Sequence, residues 1–493
     1  MFIKKVELIK PINYPKDIPM NEAFAYGQDN RLYRSLIRLF EAFWVYNKKE
    51  LYLVGGVVRD LLLGKEPKDY DLTTNATPEE VKAICEAFGL KTFDSGIKHG
   101  TLTIIDDFYK QSYEITTYRT ESKYTDHRHP DKVEFVSSLE EDLKRRDFTV
   151  NSFAYNLLTH EVLALEESFF KDLEYGIIRA VGDPAERYEE DALRMLRALR
   201  FMAQLNFSIE RYTYSAIGMC KTLLGNISKE RIRDELTKIL LSDNPQILEL
   251  IALNRLEDYI GDFEHPYLSC MLDCEHQNPW HYTDVFHHTM DVVKRVPKTF
   301  ELRWAALLHD IGKPFVKQLK EGTRDHYRYL GHQEKSAEIA LEIMDQLKFS
   351  NDQKDLIYKF VKYHDDDLVE CRNATFKRVV VDIGKEHFKD FMKLRFADAM
   401  AHRLIHSTKY AIEYVDKVIA RFDKVISEEQ AMTVKDLAID GNDILADGFL
   451  QGKEIGECLR WMLQIVLEHP EYNTREKLLE YLELFKEMSF QSS

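Results

Sequence analysis

Asp69 and Asp71 stand one residue apart, shortly after an apolar run that ends in two glycines. The segment reads Leu51-Tyr52-Leu53-Val54-Gly55-Gly56-Val57-Val58-Arg59-Asp60, then Lys68-Asp69-Tyr70-Asp71-Leu72. Leu51 to Val54 has the composition of a buried strand, and the Gly-Gly turn leaves bare N–H groups for close approach to a phosphate chain. In an extended segment residues i and i+2 share a face, so the two carboxylates are forced together. A cation between them relieves the repulsion, and hard carboxylate oxygens suit Mg²⁺ held jointly with substrate phosphates. Taken alone, the pair also fits an acidic surface turn; with the rest of the chain it points to nucleotidyl transfer.

Further residues fit that chemistry. Glu114 lies in Tyr113-Glu114-Ile115-Thr116-Thr117-Tyr118, whose alternation reads as a strand that can aim a third carboxylate at the pair. Three carboxylates can hold two Mg²⁺ ions for an in-line displacement at phosphorus. Arg145-Arg146-Asp147-Phe148-Thr149-Val150-Asn151 places forked cations before an apolar strand, a pattern suited to a triphosphate. Asn151 can donate to a ribose or phosphate oxygen. From Glu189 to Gln204 the spacing predicts one helix, with Asp191 and Arg194 three apart on one face. A carboxylate accepts from an exocyclic amine and a guanidinium donates to ring nitrogen and carbonyl, so such a pair can read cytosine or adenine without a template. The same spacing also describes an ordinary intrahelical ion pair.

With 493 residues, the chain has room for roughly three or four domains. The pattern divides it into a loose lead-in (1–35, broken by Pro11, Pro15 and Pro19), a mixed strand-helix head (36–165), a helical neck (166–260), a histidine-rich helical segment (280–405) and a helical tail (406–493). Thr77-Pro78-Glu79-Glu80 opens a helix in the head. Six cysteines lack paired spacing, which argues against a disulfide framework and fits a reducing cytosol. No apolar run approaches the roughly 20 residues of a membrane span, and the N-terminus lacks a signal-peptide core, so a cytoplasmic protein with no membrane partner is expected. The net charge of −16 means that any nucleic-acid contact needs a local basic stripe. Arg194, Arg197, Arg200, Arg211, Lys229, Arg231 and Arg233 concentrate in the neck and supply one.

The Gly55-Gly56-x-x-Arg59-Asp60 turn, Asp69-x-Asp71, the Arg145 to Asn151 motif, Glu190-Asp191-x-x-Arg194 and Glu230-Arg231-Ile232-Arg233-x-Glu235-Leu236 follow one another in this order. The set resembles the bacterial-type (class II) tRNA nucleotidyltransferases, the CCA-adding enzymes, and their poly(A) polymerase relatives. The likeness covers about residues 36–255 and returns near 433–480. It implies an α+β fold: a nucleotidyltransferase-type mixed-sheet head followed by a largely all-helical neck, insert and tail. It also implies template-independent addition of C, C and A to tRNA 3′ ends from CTP and ATP, with release of pyrophosphate. Asp69 and Asp71 would bind the two catalytic Mg²⁺ ions, with Glu114 as third carboxylate. Gly55, Gly56, Arg59, Arg146, Asp147, Asn151, Asp191, Arg194 and Arg197 would contact the nucleotide. Arg231 and Arg233 would meet RNA at the tRNA acceptor, and the tail would reach the elbow.

Thr120 to Asp131 matches the family's flexible loop, implicated in the switch from C to A addition. Two departures touch that detail. His129 stands where the family carries a second arginine, and Leu165-Glu166-Glu167-Ser168-Phe169 replaces the usual Asp-Pro-Phe-Gly-Gly turn. A CC-adding or A-adding partial enzyme and a poly(A) polymerase therefore stay open, although residues 474–493 lack the basic tail of the last.

The histidine-rich segment carries His287-His288-Thr289, then Leu308-His309-Asp310-Ile311-Gly312-Lys313, His332, His364 and Asp398. Mixed nitrogen and oxygen ligands in that order suit a divalent metal. The set resembles the HD phosphohydrolase superfamily. By that likeness His288, His309, Asp310 and Asp398 would be metal ligands, His332 and His364 would hold a second metal or a phosphate, and Lys313 would steady the phosphate. Phosphohydrolase activity on 2′,3′-cyclic or terminal phosphates, a purely structural metal domain, and a phosphohydrolase whose head only binds RNA all fit this pattern.

Overall fold

Leu51 to Val54 forms a strand whose ends pair with distant chain on both sides, and the head is built outward from it. The computed structural model describes residues 4–6, 30–46, 48–97, 100–122, 132–136, 138–276, 283–323, 327–402, 407–427, 433–447 and 452–491. It divides into two compact units, Met1–Ile239 with Ile247–Asp262, and Leu240–Gln246 with Phe263–Ser493.

Ten strands of the first unit are β1 (Lys4–Val6), β2 (Leu51–Val54), β3 (Asp71–Thr74), β4 (Lys91–Gly96), β5 (Thr101–Asp106), β6 (Gln111–Thr117), β7 (Arg119–Ser122), β8 (Lys132–Phe135), β9 (Phe153–Asn156) and β10 (Glu161–Ala164). Eight of them make one sheet in the order β1-β10-β9-β2-β3-β6-β5-β4. Within that sheet only β3 and β6 run parallel; their register sets Asp71 beside Glu114 and Leu72 beside Ile115. Along β6, Tyr113, Ile115 and Thr117 are buried, whereas Ser112 and Glu114 point to the open face, as a period of two requires. Leu102 and Ile104 of β5 extend the buried face. Two helices pack in this region, Asn30–Val45, burying Leu36, Leu39, Phe40 and Phe43, and Pro78–Ala87, burying Val81, Ile84 and Cys85. The second has the expected start: Glu80 N–H donates to Thr77 Oγ1 (3.3 Å) and Thr77 N–H to Glu80 Oε2 (2.9 Å), behind Pro78.

Three local expectations change. The lead-in is not wholly loose, because β1 pairs antiparallel with β10, a partner no local propensity reveals. The Glu189 to Gln204 helix is broken: Pro184–Glu190 ends at Asp191, which is extended (φ −146°, ψ 101°), and Leu193–Leu205 starts afresh. The Asp191 carboxylate accepts from Leu193 N–H (3.2 Å), the local bond with which Asp competes against helix. The missing Asp-Pro-Phe-Gly-Gly turn gives way to a helix, Ser168–Glu174, whose Asp172 accepts from Thr149 Oγ1 (2.9 Å) and Arg179 Nε (3.0 Å). Of the expected flexible loop, β7 and β8 bracket a stretch that, with His129, lies outside the described residues.

The second unit is almost entirely helical. Val285–Arg295, Phe300–Leu308, His332–Gln346, Asn351–Tyr363 and Phe388–Ala401 carry the histidine-rich motifs. Trp304 is buried with its ring against Phe349 (centroids 5.0 Å). The tail has its own apolar cluster, with Ile444, Cys458, Met462, Val466, Leu478 and Leu482 all buried. Among the described residues, no helix is long and apolar enough to cross a membrane.

Candidate functional site

The Gly55 turn takes φ +76°, a left-handed value that favours glycine, and a Cβ there would meet Arg146 Nη1 at 3.2 Å. Arg146 thus lies across the turn. Its Nη2 donates to Asp142 Oδ2 (3.1 Å) and Arg145 Nη2 to Asp142 Oδ1 (2.6 Å). Burial alone would raise the Asp142 pKa, but the two guanidiniums outweigh it and the carboxyl is held below its usual range. Asp71 shows the opposite balance. Partial desolvation pushes its pKa up, the Glu114 and Asp69 charges add to this, and Arg146 opposes them. Asp69 precedes β3 rather than lying in it, and Asp69, Asp71 and Glu114 are all open to solvent. Three carboxyl groups gathered beside Arg146 form a donor set that a divalent cation would satisfy.

Beside this trio runs a chain of polar contacts. Arg59 Nη1 donates to Asn151 Oδ1 (2.7 Å), Asn151 Nδ2 donates to Asp147 Oδ1 (3.1 Å), and Arg197 forks onto Asp147 Oδ2 through Nε (2.8 Å) and Nη2 (2.6 Å). The Asn151 amide, expected at a ribose or phosphate, is engaged here by Arg59 and Asp147. Burial would raise the Asp147 pKa, but the Arg197 charge, the Asn151 hydrogen bond and Arg194 bring it down to about 2. The guanidinium carbons of Arg59, Arg197 and Arg200 lie 5.4, 5.5 and 4.2 Å from the Phe201 ring centre. Phe201 was not singled out from sequence; its signal was the i,i+4 spacing from Arg197. Arg200 Nε pairs with Glu235 Oε2 at 2.8 Å.

Asp147→Asn should therefore cost about 3 kcal/mol at pH 7, because it leaves Arg197 without its partner charge. The pKa of Asp147 is depressed by folding, from 3.8 to about 2, so its contribution is complete above 3.8 and fades as pH falls towards 2. Urea midpoints at pH 7 and pH 3 should accordingly show a smaller gap between parent and variant at the lower pH.

Asp191 and Arg194 both have partners within the chain. Arg231 forks onto Asp191 through Nη1 (3.3 Å) and Nη2 (2.8 Å). Arg194 is buried and donates to Glu190 Oε2 (2.5 Å), Arg187 O (3.1 Å) and Arg145 O (2.9 Å). Arg233 lies on Asp234 (3.0 Å). Much of the basic stripe expected in the neck is thus spent on the neck's own carboxylates.

In the second unit the histidine-rich motifs converge. His288, His309, Asp310, His332 and His364 are buried, and Asp398 is half-buried. Asp310 Oδ2 lies 3.2 Å from His309 Nε2 and 3.5 Å from His288 Nε2, while Asp398 Oδ1 lies 3.0 Å from His288 Nε2. Asp310 Oδ1 lies 3.4 Å from His332 Nε2 and 3.5 Å from His364 Nε2. Three of the rings are held alike: Nδ1 of His309, His332 and His364 donates to the carbonyls of Ala306, Tyr329 and Val361. This assigns the proton to Nδ1 and turns each Nε2 inward.

Several features show that these residues fit a metal. The Nε2 atoms of His332 and His364 face each other at 3.1 Å, and with each Nδ1 turned to a carbonyl the pair is placed to share a cation. His309 Nε2 and Asp310 Oδ1 are buried without a hydrogen bond of good geometry. Burial would lower the His309 pKa, yet Asp310 and Asp398 pull it up to about 10, while burial brings His332 down to about 4. The centre demands positive charge that its imidazoles supply unevenly. Gly312 sits where a Cβ would meet Ser336 N at 2.5 Å and His332 O at 2.8 Å. Gly312→Ala should push back the first turn of the His332–Gln346 helix, lower stability by about 1–3 kcal/mol and reduce metal retention at His332, read by thermal melting and metal analysis.

Comparisons with known proteins match domains over both stretches of chain. The Poly A polymerase head domain matches residues 51–179, the probable RNA and SrmB-binding site of polymerase A matches 206–258, and the HD domain matches 284–380. A CCA-adding enzyme of Leuconostoc mesenteroides is 42% identical over 306 residues, 59% of this chain and 73% of that one. A CCA-adding enzyme of Ligilactobacillus salivarius is 52% identical over 197 residues, 40% of this chain and 47% of that one. With several such relatives the chain spans about half their length. The Bacillus stearothermophilus CCA-adding enzyme in complex with CTP has a TM-score of 0.64 at 25% identity, covering 94% of this chain and 100% of that one. The Thermotoga maritima CCA-adding enzyme complexed with tRNA-CCA shares the fold, with a TM-score of 0.53 at 21% identity over 94% of this chain and 98% of that one. With its mixed-sheet head, its helical body and a relative matched over nearly three quarters of its length, the chain belongs to the CCA-adding enzyme family.

Proposed function

We propose that this chain adds C, C and A to tRNA 3′ ends from CTP and ATP, without a template and with release of pyrophosphate. The observation that carries the reading is the β3–β6 register, which sets Asp71 beside Glu114 close to Arg146 and the Gly55 turn. The named activity of the relatives and the CTP bound by the Bacillus stearothermophilus enzyme support it. Asp69 and Asp71, with Glu114 alongside, would hold two Mg²⁺ ions; bound there, the metal acidifies the terminal ribose hydroxyl and neutralises the leaving pyrophosphate. Arg146 donates to triphosphate oxygens across the turn, where the backbone can approach closely. Arg59, Asp147, Asn151 and Arg197 form the braced wall beside it. Asp191 and Arg194 read the base edge, the carboxylate accepting from the amine that C and A carry where U and G carry a carbonyl. Arg231 and Arg233 border the RNA, and the tail reaches the tRNA elbow. The scattered cysteines support a reducing, cytoplasmic setting.

The test is length of addition. tRNAs lacking one, two or three terminal nucleotides are incubated with each triphosphate and sized. CTP alone should extend the shortest by two, and ATP should then add one. Long A tails would indicate a poly(A) polymerase, and arrest after CC a partial enzyme.

A second activity, hydrolysis of phosphates at RNA ends, is favoured by the convergence on Asp310. Its two oxygens face different imidazole sets, so the residues around Asp310 would hold divalent metal, which would supply an activated water when bound. His288, His309, Asp310 and Asp398 would hold the metal, and His332 and His364 would serve a second metal or the phosphate. Release of phosphate from a tRNA ending in a 2′,3′-cyclic or terminal phosphate measures it, and survival of that release in Asp71→Ala separates it from nucleotide addition.

A further inference from the structure

We propose that His276 is a positioning residue for Lys313, holding its ammonium so that one N–H points away from Asp310 and towards a phosphate oxygen at the ion centre. The inference deepens the metal-centre reading of the second unit and rests on it.

Lys313 is buried, and its Nζ donates to Asp310 Oδ2 at 2.6 Å. An ammonium carries three N–H groups, and an aspartate with no rival would gather the lysine wholly to itself. His276 supplies the rival. Its ring is buried, and its Nε2 lies 3.4 Å from Lys313 Nζ. The orientation of that nitrogen follows from the other side of the ring. Nδ1 lies 2.9 Å from the carbonyl oxygen of Thr283, which can only accept, so Nδ1 carries the proton and Nε2 presents a lone pair. A second donor aimed at an ammonium would be repelled, so the contact with Lys313 has a single workable sense, lysine donating and histidine accepting.

The ring is braced from several directions. The Tyr329 hydroxyl donates to the carbonyl of His276 (3.0 Å), Lys317 Nζ donates to the carbonyl of Glu275 (2.7 Å), and the His276 ring meets that of His288 edge-on at 5.5 Å. His276 is therefore fixed to the same wall as the imidazole set without being one of the ligands, because its Nε2 is turned to the lysine. Asp310 and His276 occupy two of the lysine's N–H groups. The third is left for an anion, and a phosphate oxygen on the ions is the ligand whose charge and size suit it.

The test uses the full-length chain loaded with Co²⁺ and titrated with inorganic phosphate, followed by the visible absorption of the cobalt, with metal content measured separately. His276→Ala should keep its cobalt and bind phosphate about tenfold more weakly, the loss of one charge-assisted hydrogen bond. His276→Gln, whose side-chain carbonyl can accept from Lys313, should return binding to within about twofold of the parent. Lys313→Ala should weaken phosphate at least as much, and adding His276→Ala to it should change nothing further. Parent-like phosphate binding in His276→Ala, or an added loss in the double variant, overturns the positioning role and leaves the metal reading intact. Loss of cobalt from both His276 variants also overturns it, since His276 would then be a ligand or a structural support. A parent that holds no cobalt overturns the metal reading and the proposal together.

Discussion

Asp71→Ala is expected to abolish CMP and AMP incorporation by at least about 10³-fold while the protein melts within about 2 °C of the parent. The two halves of this expectation have one cause. Asp71 sits among Glu114 and Asp69, and partial burial and those charges raise its pKa. A carboxylate so placed is a cost to the folded chain, so its loss relieves repulsion rather than removing support. The same crowding is what attracts a divalent cation, and without Asp71 the remaining carboxylates cannot bring hydroxyl and triphosphate under one charge. Labelled-CTP incorporation into a tRNA lacking its terminal nucleotides, beside a thermal melt, decides it. Incorporation above about a tenth of the parent rate would move the chemistry away from β3 and β6.

Asp310→Ala should have the opposite profile: a large loss of stability and an almost unchanged rate of nucleotide addition below its melt. Asp310 is buried, and Lys313, His288, His309, His332 and His364 all face its two oxygens. Its removal strands a buried ammonium and takes the shared acceptor from two ligand sets, a loss of about 3–5 kcal/mol. Metal analysis should find the variant's second unit empty, and its melt should no longer respond to added divalent ions. Metal bound at the parent level would mean that the imidazoles hold it without Asp310.

The contrast between those two aspartates shows what the sequence could and could not disclose. Strand β2, the Thr77 cap and the spacing of the motifs were legible because each depends on neighbours a few residues away. That Glu114 faces the pair was legible from alternation and the family likeness; the parallel β3–β6 pairing that does it, across some forty residues, was not, since alternation says only which face a residue takes. The break at Asp191 hid for a different reason. The apolar spacing continues through it, and what interrupts the helix is one carboxylate bonding its own backbone. His276 carried no local sign at all; its meaning comes from Lys313, brought to it by the short helix Lys313–Val316.

Because Asp191 is already gripped by Arg231, a nucleobase on the proposed reading enters only as that guanidinium lets go. Recognition becomes an exchange between two arrangements of similar strength, and the net gain is a small difference. A base that offers a carbonyl in place of the amine cannot complete the exchange and is refused. Discrimination without retention suits a catalyst that must empty the same pocket after each step and fill it again with something else.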